Sequence, residues 1–296
     1  MSQRDARQET EDGFPEGRGL GGFLRSLLSG IPWSDRAERE ESFELPSPAS
    51  AKVKIFNGNG RTRIVGEERA DVAVRALKIA RAESDAAAQK LLDQIHVDTR
   101  LNGDILEIDV EIPRRWNRHG NVHLDVRLPR DHRVAVRSSN GKLCIEGMRC
   151  AVRARSSNGP IKLTDVVGDI EVHTSNAKVA CGCTRGRLLA RSSNGKIELD
   201  DHCGSVDAST SNGIIHARLE EVGALGVSLA TSNGRIVLEL PEKVDADLDM
   251  RVDNGIIRND RELADQSGAN GRIRGTLGHG GSLIKLRTSN GSISVR

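Results

Sequence analysis

The side chains of this 296-residue sequence that are best placed to recognise a ligand are basic, and they recur at regular intervals. They flank a repeated five-residue segment, Arg-[Ser/Thr]-Ser-Asn-Gly, either at its first position or directly after its glycine. Rows of guanidinium and ammonium groups suit the phosphate, sulfate or carboxylate groups of an anionic polymer. The candidate binding residues are Arg137, Lys142, Arg155, Lys178, Arg191, Lys196, Arg235, Arg251 and Arg287.

Both basic rows are interrupted, at His173, Ser209 and Ala230 before the asparagine and at Pro160 and Ile214 after the glycine. Like charges stacked about 5 Å apart repel modestly, so an unbroken row would indicate a polyanion partner. The interruptions favour a solvated face that resists aggregation. Binding of an anionic glycan, an envelope polymer or a lipid headgroup is the alternative. A net charge of +2 gives no case for nucleic acid.

Two further sets of side chains have the chemistry of metal ligands. The thiols, imidazole and carboxylate of the first set suit zinc, but Cys-x-x-Cys spacing is absent, so independent surface residues are favoured. A disulfide between Cys183 and Cys203 is another alternative. The second set alternates along one strand and could hold calcium, although a charged solvent face is the plainer interpretation. The first set is Cys183, Asp201, His202 and Cys203, and the second is Asp245, Asp247, Asp249 and Asp253.

Motifs typical of catalysis are missing. Serines are plentiful, but no histidine is spaced to form a Ser/His/Asp triad, and phosphate-cradling glycine motifs are lacking. A glycan-active enzyme would need a carboxylate pair in the longer segment 255–290. The sequence therefore predicts a non-enzymatic scaffold or adhesin-like interaction module without a cofactor, with self-association as one mode of interaction.

The repeats that carry these residues predict the fold. Asparagines recur at intervals of 18 residues, with two later steps of 21 and a last step of 36. An aliphatic residue follows three positions after each asparagine, a second apolar column lies nine residues further on, and apolar residues alternate around both columns. The asparagines are Asn140, Asn158, Asn176, Asn194, Asn212, Asn233, Asn254 and Asn290, and Asn270 is a weaker copy.

Each repeat should therefore contain two short strands and two corners, and the chain is predicted to be an all-β protein built as a β-solenoid. About nine coils, each rising about 4.8 Å, give a rod roughly 40 Å long. The asparagines are expected to stack as a structural ladder rather than to contact a ligand. The glycine after each one should supply positive φ at a sharp corner, so Ala177, in the glycine position, should strain or reshape its corner.

The chain divides into three regions. Residues 1–41 are predicted to be a disordered or packed tail, with an apolar island as a candidate peripheral membrane or partner-docking helix. Residues 42–136 are rich in strands, with one helix starting near Ser84, and should cap the coils of residues 137–296 within one continuous domain. The C-terminus ends inside a repeat, so its open edge is an expected place for a homo-oligomer to form. The island comprises Phe23, Leu24, Leu27, Leu28, Ile31 and Trp33.

From Phe43 to Arg296 the sequence resembles the bacterial β-strand-repeat family of "putative adhesins", a domain of unknown function. The resemblance rests on the Asn-Gly-Asn-Gly segment 57–60, the helix before residues 102–108, the segment Val-Arg-Leu-Pro at 126–129 and the Ser-Asn-Gly repeats. It implies a surface or envelope-associated module without catalytic residues.

Location is predicted from signals and cysteines. No secretion signal or long apolar stretch is visible, and five cysteines without framework spacing favour reduced thiols. A cytoplasmic protein, peripheral to the membrane if it contacts one, is therefore the expectation. The family resemblance makes the envelope the alternative.

Overall fold

The computed structural model describes residues 35–116 and 118–296. Nineteen strands wind into one coiled sheet, which confirms the predicted all-β solenoid. The first nine strands are β1 (Asp35–Pro46), β2 (Lys52–Asn57), β3 (Thr62–Glu67), β4 (Asp71–Ala82), β5 (His96–Asn102), β6 (Ile105–Glu111), β7 (Gly120–Pro129), β8 (Arg133–Ser138) and β9 (Leu143–Glu146). The other ten are β10 (Val152–Ser156), β11 (Ile161–Val167), β12 (Ile170–Thr174), β13 (Val179–Ser192), β14 (Ile197–Asn212), β15 (Ile215–Glu239), β16 (Ala246–Asn259), β17 (Ala264–Ala269), β18 (Arg272–Leu277) and β19 (Ser282–Val295).

Parallel pairing in steps of one repeat builds two faces. Face A stacks β2, β8, β10, β12 and the second halves of β13 and β14. Face B stacks β3, β9, β11 and the first halves of β13 and β14. Equivalent residues of successive repeats therefore lie side by side, as Ala154 does between Val136 and Val172.

The inward columns form one continuous core. The aliphatic residue after each asparagine is almost completely buried in seven coils, at 0–1% exposure. Burying an aliphatic side chain of this size stabilises the fold by roughly 1.5–3 kcal/mol, so each coil is held mainly by its neighbours above and below. These residues are Leu143, Ile161, Val179, Ile197, Ile215, Ile236 and Ile293.

A third, short side closes the regular coils, and the prediction of two strands per coil is incomplete in this respect. It begins at a residue with left-handed backbone, Asp165, Cys183 or Asp201, with φ between 51° and 55°. The next residue along the chain points inward and is buried. The side ends at a glycine with positive φ, a backbone conformation that glycine adopts without a Cβ clash. The inward residues are Val166, Thr184 and His202, and the glycines are Gly168, Gly186 and Gly204.

Chain order and spatial order differ at both ends of the rod. Near the N-terminal end, β2 lies between β6 and β8, and β3 lies between β7 and β9. Residues 52–67 therefore form a full coil of the solenoid rather than part of a separate cap. Near the C-terminal end, β19 lies between β15 and β16. The expectation of an open C-terminal edge is wrong, because the last strand is hydrogen-bonded on both sides.

The N-terminal end is closed by elements outside the repeat pattern. On face B, β4 pairs antiparallel with β7 and β1 pairs antiparallel with β4. On face A, β5 pairs with β6. The helix α1 (Asp85–Leu92) begins after Ser84, whose hydroxyl accepts a hydrogen bond from the amide of Ala87 at 3.3 Å, as predicted. Strand β1 begins at Asp35, inside the segment predicted as a tail, and the apolar island lies outside the described residues.

At the C-terminal end, residues 260–281 fold back over the last coil. Strand β18 pairs antiparallel with the first half of β16, and β17 pairs with β18. Asn270 and Gly271, with φ of 50° and 76°, form the turn between them. Asn270 is therefore a hairpin residue and not a copy of the repeated corner.

Candidate functional site

The asparagines form one unbroken ladder along the edge between face A and face B. Eight hydrogen bonds of 2.7–3.0 Å join nine asparagines, and in each bond the side-chain Nδ2 donates to the Oδ1 atom of the asparagine one coil closer to the N-terminal end of the rod. In spatial order the ladder runs Asn59, Asn140, Asn158, Asn176, Asn194, Asn212, Asn233, Asn290 and Asn254. The predicted structural ladder is confirmed. It includes Asn59, which the spacing alone did not reveal although the Asn-Gly-Asn-Gly segment contains it.

A buried hydroxyl lies two residues before seven of the eight repeated asparagines, the exception being Val252 before Asn254, and it explains the first Ser or Thr of the repeated segment. Where that residue is serine, its Oγ accepts a hydrogen bond from the amide of the corner glycine, at 2.9 Å for both Ser156 and Ser192. Where it is threonine, as at Thr210 and Thr231, its hydroxyl donates to the glycine carbonyl of the neighbouring coil. The corner is thus stabilised from inside by the hydroxyl and from outside by the asparagine.

The corner glycines are required by close approach, and the predicted role of positive φ is wrong for most of them. Gly141, Gly159, Gly195, Gly213 and Gly234 are absent from the positive-φ residues. A Cβ atom at each of these positions would collide with the carbonyl oxygen of the equivalent residue in the adjacent coil. Among the described corners that carry a ladder asparagine, Gly291, Gly255 and Gly60 combine close approach with positive φ, at 152°, 148° and 113°.

Ala177 alters its corner without breaking the ladder. Asn176 keeps both ladder bonds, each of 2.8 Å. The hydroxyl of Thr174, in contrast, is buried and has no hydrogen-bond partner. The expected reshaping at Ala177 is therefore local and consists of one lost interior hydrogen bond.

Five of the nine predicted basic residues form ion pairs with carboxylates. Arg155 and Arg153 both bind Glu171, at 2.8 and 2.6 Å, and these bonds hold the pKa of that carboxyl below its usual value despite partial burial. Arg191 binds both oxygens of Asp207, at 2.8 and 2.5 Å. The Arg191–Asp207 pair is neutral, whereas Arg153 and Arg155 share one carboxylate and together keep one net positive charge.

The second basic row shows the same pattern. Lys178 and Lys196 share Glu198, whose burial raises its pKa but whose two hydrogen bonds outweigh that effect and leave the pKa lowered. Arg235 donates to the hydroxyl of Ser292 at 3.2 Å. On the first row, Arg251 binds Asp253 of its own strand at 3.1 Å.

Three predicted binding residues make no hydrogen bond or salt bridge in the part of the chain that the structure describes: Arg137, Lys142 and Arg287, of which Arg287 interacts electrostatically with Asp249. Arg137 and Arg287 project from face A in the same outward column, and Lys142 follows the corner of the first of these coils. Other unpaired cations on face A, which the sequence analysis did not single out, include Lys52, Arg133 and Arg187. They line a shallow groove of about 940 Å³ near the N-terminal end. Because they belong to a different column from the repeated arginines, their spacing gave no signal.

The proposed zinc ligands do not converge. His202 points into the core, where its Nδ1 lies 2.9 Å from the hydroxyl of Thr184 and burial lowers its pKa. Cys183 is exposed on the outer surface, and all five cysteines are free, which excludes the Cys183–Cys203 disulfide. Cys203 accepts a long contact of 3.7 Å from Arg185. Among residues 35–116 and 118–296, no group of three or more His, Cys, Asp or Glu side chains could hold a metal ion, so neither weak metal-site candidate is supported.

The carboxylates proposed for calcium instead attach the C-terminal hairpin. Asp249 accepts two hydrogen bonds from Arg272 of β18, at 2.9 and 2.8 Å, which lower the pKa of Asp249. Asp247 accepts from the hydroxyl of Thr276, and Asp245 accepts from the amide of His279. Asp253, the fourth, binds Arg251.

Fold and corners together define the class of protein: a parallel β-solenoid whose coils are joined at one edge by an asparagine ladder. The sequence profile of the family described as "Toastrack DUF4097" matches residues 51–296, and the chain belongs to this family. The resemblance noted from the sequence is thereby confirmed. A comparison with curated proteins gives no match.

Several solved structures are similar over most of their length. A "putative adhesin" from Parabacteroides merdae ATCC 43184 has a TM-score of 0.46 and 10% identity, covering 89% of this chain and 97% of that one. A "putative adhesin" from Bacteroides fragilis NCTC 9343 has a TM-score of 0.41 and 10% identity, covering 90% and 99%. A "putative lipid binding protein" from Parabacteroides distasonis ATCC 8503 has a TM-score of 0.37 and 12% identity, covering 87% and 97%.

Helices long and apolar enough to cross a bilayer were not found in the described residues.

Proposed function

We propose that the protein is a non-enzymatic, adhesin-like interaction module, a rod that binds its partner through its lateral surface. The observation that carries this proposal is that the side chains able to do acid-base or nucleophilic chemistry are dispersed or serve the fold. The carboxylates, imidazole and thiols singled out from the sequence point in different directions or bind neighbouring coils. A glycan-active enzyme would need a carboxylate pair in the segment 255–290, but most of this segment forms a hairpin and the inserted strand β19.

An anionic partner fits the outer face best. Arg137 and Lys142 have no carboxylate partner among the described residues, and Arg287 has only an electrostatic interaction with Asp249. Their charge is therefore available to a glycan, an envelope polymer or a lipid headgroup that carries phosphate, sulfate or carboxylate groups. The five ion-paired residues should contribute less. Binding should therefore depend mainly on these three residues, with a further contribution from Arg235, which binds only a serine hydroxyl.

A matched pair of variants tests the anionic partner. One variant carries Arg137→Gln, Lys142→Gln and Arg287→Gln, and the control carries Arg155→Gln, Lys178→Gln and Arg191→Gln, which removes the same charge. Retention on heparin resin and on liposomes with anionic headgroups is measured against salt concentration. We expect salt-sensitive retention that the first variant loses and the control largely keeps, because screening weakens exposed charges most. Retention that is absent or independent of salt would contradict an anionic partner.

Self-association is a second candidate, and the outer edge of β16 supports it. Residues 254–259 of β16 are paired only with β19 in the described part of the chain, and Ile256 is 59% exposed there. An unpaired edge with an exposed isoleucine is a template for another strand. Light scattering at rising concentration should show a dimer or larger species that Ile256→Lys removes, whereas a strict monomer would end this candidate.

The predicted membrane contact and cellular location stay predictions. The apolar island of residues 23–33 lies outside the described residues, and a cytoplasmic location with the envelope as alternative has no structural test. Liposome retention of a chain lacking residues 1–34, compared with the full chain, would separate a contribution of the island from that of face A.

A further inference from the structure

The strongest unexplained feature of face A is a groove of about 440 Å³ close to the C-terminal end. It involves the outward-facing column of residues that lie three positions before each ladder asparagine. The groove lies where this column changes from long to short side chains. In spatial order that column runs Arg191, Ser209, Ala230, Arg287 and Arg251, with each residue in register with the next. Two adjacent short residues open a gap about two strand spacings wide, roughly 10 Å. The interruptions that argued against a continuous basic row are therefore the floor of a groove.

The two arginines at the groove differ from Arg191, which Asp207 holds in a bidentate pair. Arg287 makes no hydrogen bond among the described residues and interacts only electrostatically with the carboxylate of Asp249, and it lies directly beside Arg251, which binds Asp253. Like charges in directly opposite positions of neighbouring strands destabilise a sheet by a few tenths of a kcal/mol or more. A bound anionic group between them would relieve that repulsion.

Hydroxyl-bearing residues provide most of the remaining lining, which also includes Ala230 and Asp253, the carboxylate that Arg251 binds. The residue directly before each asparagine is serine in three adjacent coils, at Ser211, Ser232 and Ser289, and all three are exposed. Their hydroxyls make no hydrogen bonds with described residues, in contrast to Thr210, Thr231 and Thr288 beneath them, which bind corner carbonyls. A row of unoccupied hydroxyls beside two guanidinium groups offers both donors and acceptors to a polyhydroxylated ligand.

We propose that this groove binds one unit of an acidic saccharide, with its carboxylate, sulfate or phosphate group on Arg287 and Arg251 and its hydroxyls on the serine row. The proposal rests on the anionic partner proposed above and names its site and ligand class. The volume is within the range of small-ligand pockets, and the polar floor suits a sugar rather than an acyl chain. Arg287 supplies the charge, and the short side chains of Ser209 and Ala230 supply the space.

One substitution separates the effect of positive charge on binding from the effect of the open groove. Ala230→Arg adds a positive charge at a position where Arg191 and Arg155 are accommodated elsewhere in the same column, but it fills the groove. If anions bind simply to a basic row, this variant binds more tightly. If the groove is the site, it binds more weakly although the net charge rises. Arg287→Ala removes the charge, and Arg187→Ala is the matched control, because Arg187 is an unpaired arginine of face A that does not line this groove.

The test measures binding of a sulfated tetrasaccharide, a uronate tetrasaccharide, a neutral tetrasaccharide and inorganic sulfate by calorimetry at fixed salt. We expect Arg287→Ala and Ala230→Arg each to weaken acidic-saccharide binding about tenfold or more, with less than about twofold loss for Arg187→Ala. The neutral sugar and sulfate alone should bind much more weakly than either acidic saccharide. Thermal unfolding shows whether each variant remains folded.

The outcomes distinguish this inference from the broader proposal. Wild-type binding with equal losses for Arg287→Ala and Arg187→Ala, or tighter binding by Ala230→Arg, overturns the groove and leaves the anionic partner standing. Equal affinity for sulfate and for the acidic saccharides overturns the saccharide class. No binding of any anionic probe overturns both the groove and the anionic partner, and leaves the non-enzymatic interaction module to be tested with protein partners.

Discussion

The two ends of the rod differ in how their outermost coils are covered. At each end one coil is inserted out of chain order, β2–β3 at the N-terminal end and β19 at the C-terminal end. At the N-terminal end both faces are then covered, by β4 and β1 on face B and by β5 on face A. At the C-terminal end only face A is covered, by the hairpin β17–β18.

The difference is visible in the core column. Ile257 is only partly buried, whereas Ile293, one coil further in, is fully buried. A solenoid coil buries its apolar residues only when a neighbour lies on each side, so an uncovered half-coil remains less stable than the rest. The C-terminal edge of face B is thus the one place in the described core where a partner strand would add apolar burial, and the proposed saccharide groove lies nearby on face A.

The largest effect on stability should come from shortening a core side chain in the covered coil of β19, compared with one in the uncovered half of β16. Ile293→Ala removes a fully buried side chain and should lower the free energy of unfolding by about 3 kcal/mol. Ile257→Ala should cost less than about 1 kcal/mol, because its neighbour is missing on one side. Urea unfolding of both variants measures the difference. Equal losses would mean that the C-terminal edge is covered in solution.

A smaller difference is expected between the middle and the end of the asparagine ladder. Asn176→Ala removes bonds to two neighbours and should cost about 1–1.5 kcal/mol, whereas Asn254→Ala removes only its bond to Asn290 and should cost about half as much. Thermal unfolding measured under identical conditions compares them. A greater loss at Asn254 would show that the last corner has further contacts.

The interior hydroxyls provide a reference for the regular coils that lie between the ends. Ser192→Ala leaves the amide of Gly195 without its 2.9 Å hydrogen bond and should cost about 1 kcal/mol. Thr174→Val removes a buried hydroxyl that has no partner and should be neutral or slightly stabilising. Destabilisation by Thr174→Val would indicate an interior water or a rearranged corner at Ala177.

The ends should also respond to acid in different pH ranges. His132, which bonds to Ser47 at 2.6 Å beyond the end of β1, has its pKa lowered by burial below the ordinary 6.5. Because the unfolded chain takes up a proton first as pH falls through about 6.5, the N-terminal closure loses stability below that pH. Asp249 at the C-terminal hairpin has its pKa lowered below 3.8 by Arg272, so its contribution persists above 3.8 and is lost only as pH falls through its lower folded value.

Amide hydrogen exchange at pH 7.5, 5.5 and 4.5 separates these ranges. Exchange in β1 and β4 should rise relative to β17 and β18 between pH 7.5 and 5.5, after correction for intrinsic rates. A His132→Gln variant should lose part of this pH dependence, and the remainder should come from His123 of β7, whose pKa burial also lowers. Parallel changes at both ends would contradict the assignment of His132 to the N-terminal closure.

Prediction from sequence succeeded where the determinants are local. The spacing of the asparagines and of Leu143, Ile161 and Val179 gave the coils, the ladder and the inward faces, because each repeat meets an identical neighbour. The helix start at Ser84 was also predictable from a single capping residue. The third side of the coil was missed because its evidence is the left-handed backbone of residues such as Asp165 and Cys183, which are not typical turn glycines.

Prediction failed where several arrangements satisfy the same pattern. Ile293 matches a place beside Ile236 as well as one beside Ile257, and in the structure it occupies both, between the two. Nothing in the repeated sequence distinguishes that order from a C-terminal coil at the end of the rod. The same degeneracy concealed the groove, since Ser209 and Ala230 form its floor only when β19 brings Arg287 beside them.

The sequence by itself determined the repeating unit: its length, its buried columns, its asparagine ladder and the buried hydroxyl beneath most corners. Strand periodicity and steric limits at the corners act over a few residues and are therefore readable along the chain. Only the tertiary structure decided the order of the coils at the two ends, which charges are neutralised, and where two unlike residues leave a groove. Those features depend on contacts between residues far apart in sequence, and chemically equivalent repeats leave that choice to the packing of the whole rod.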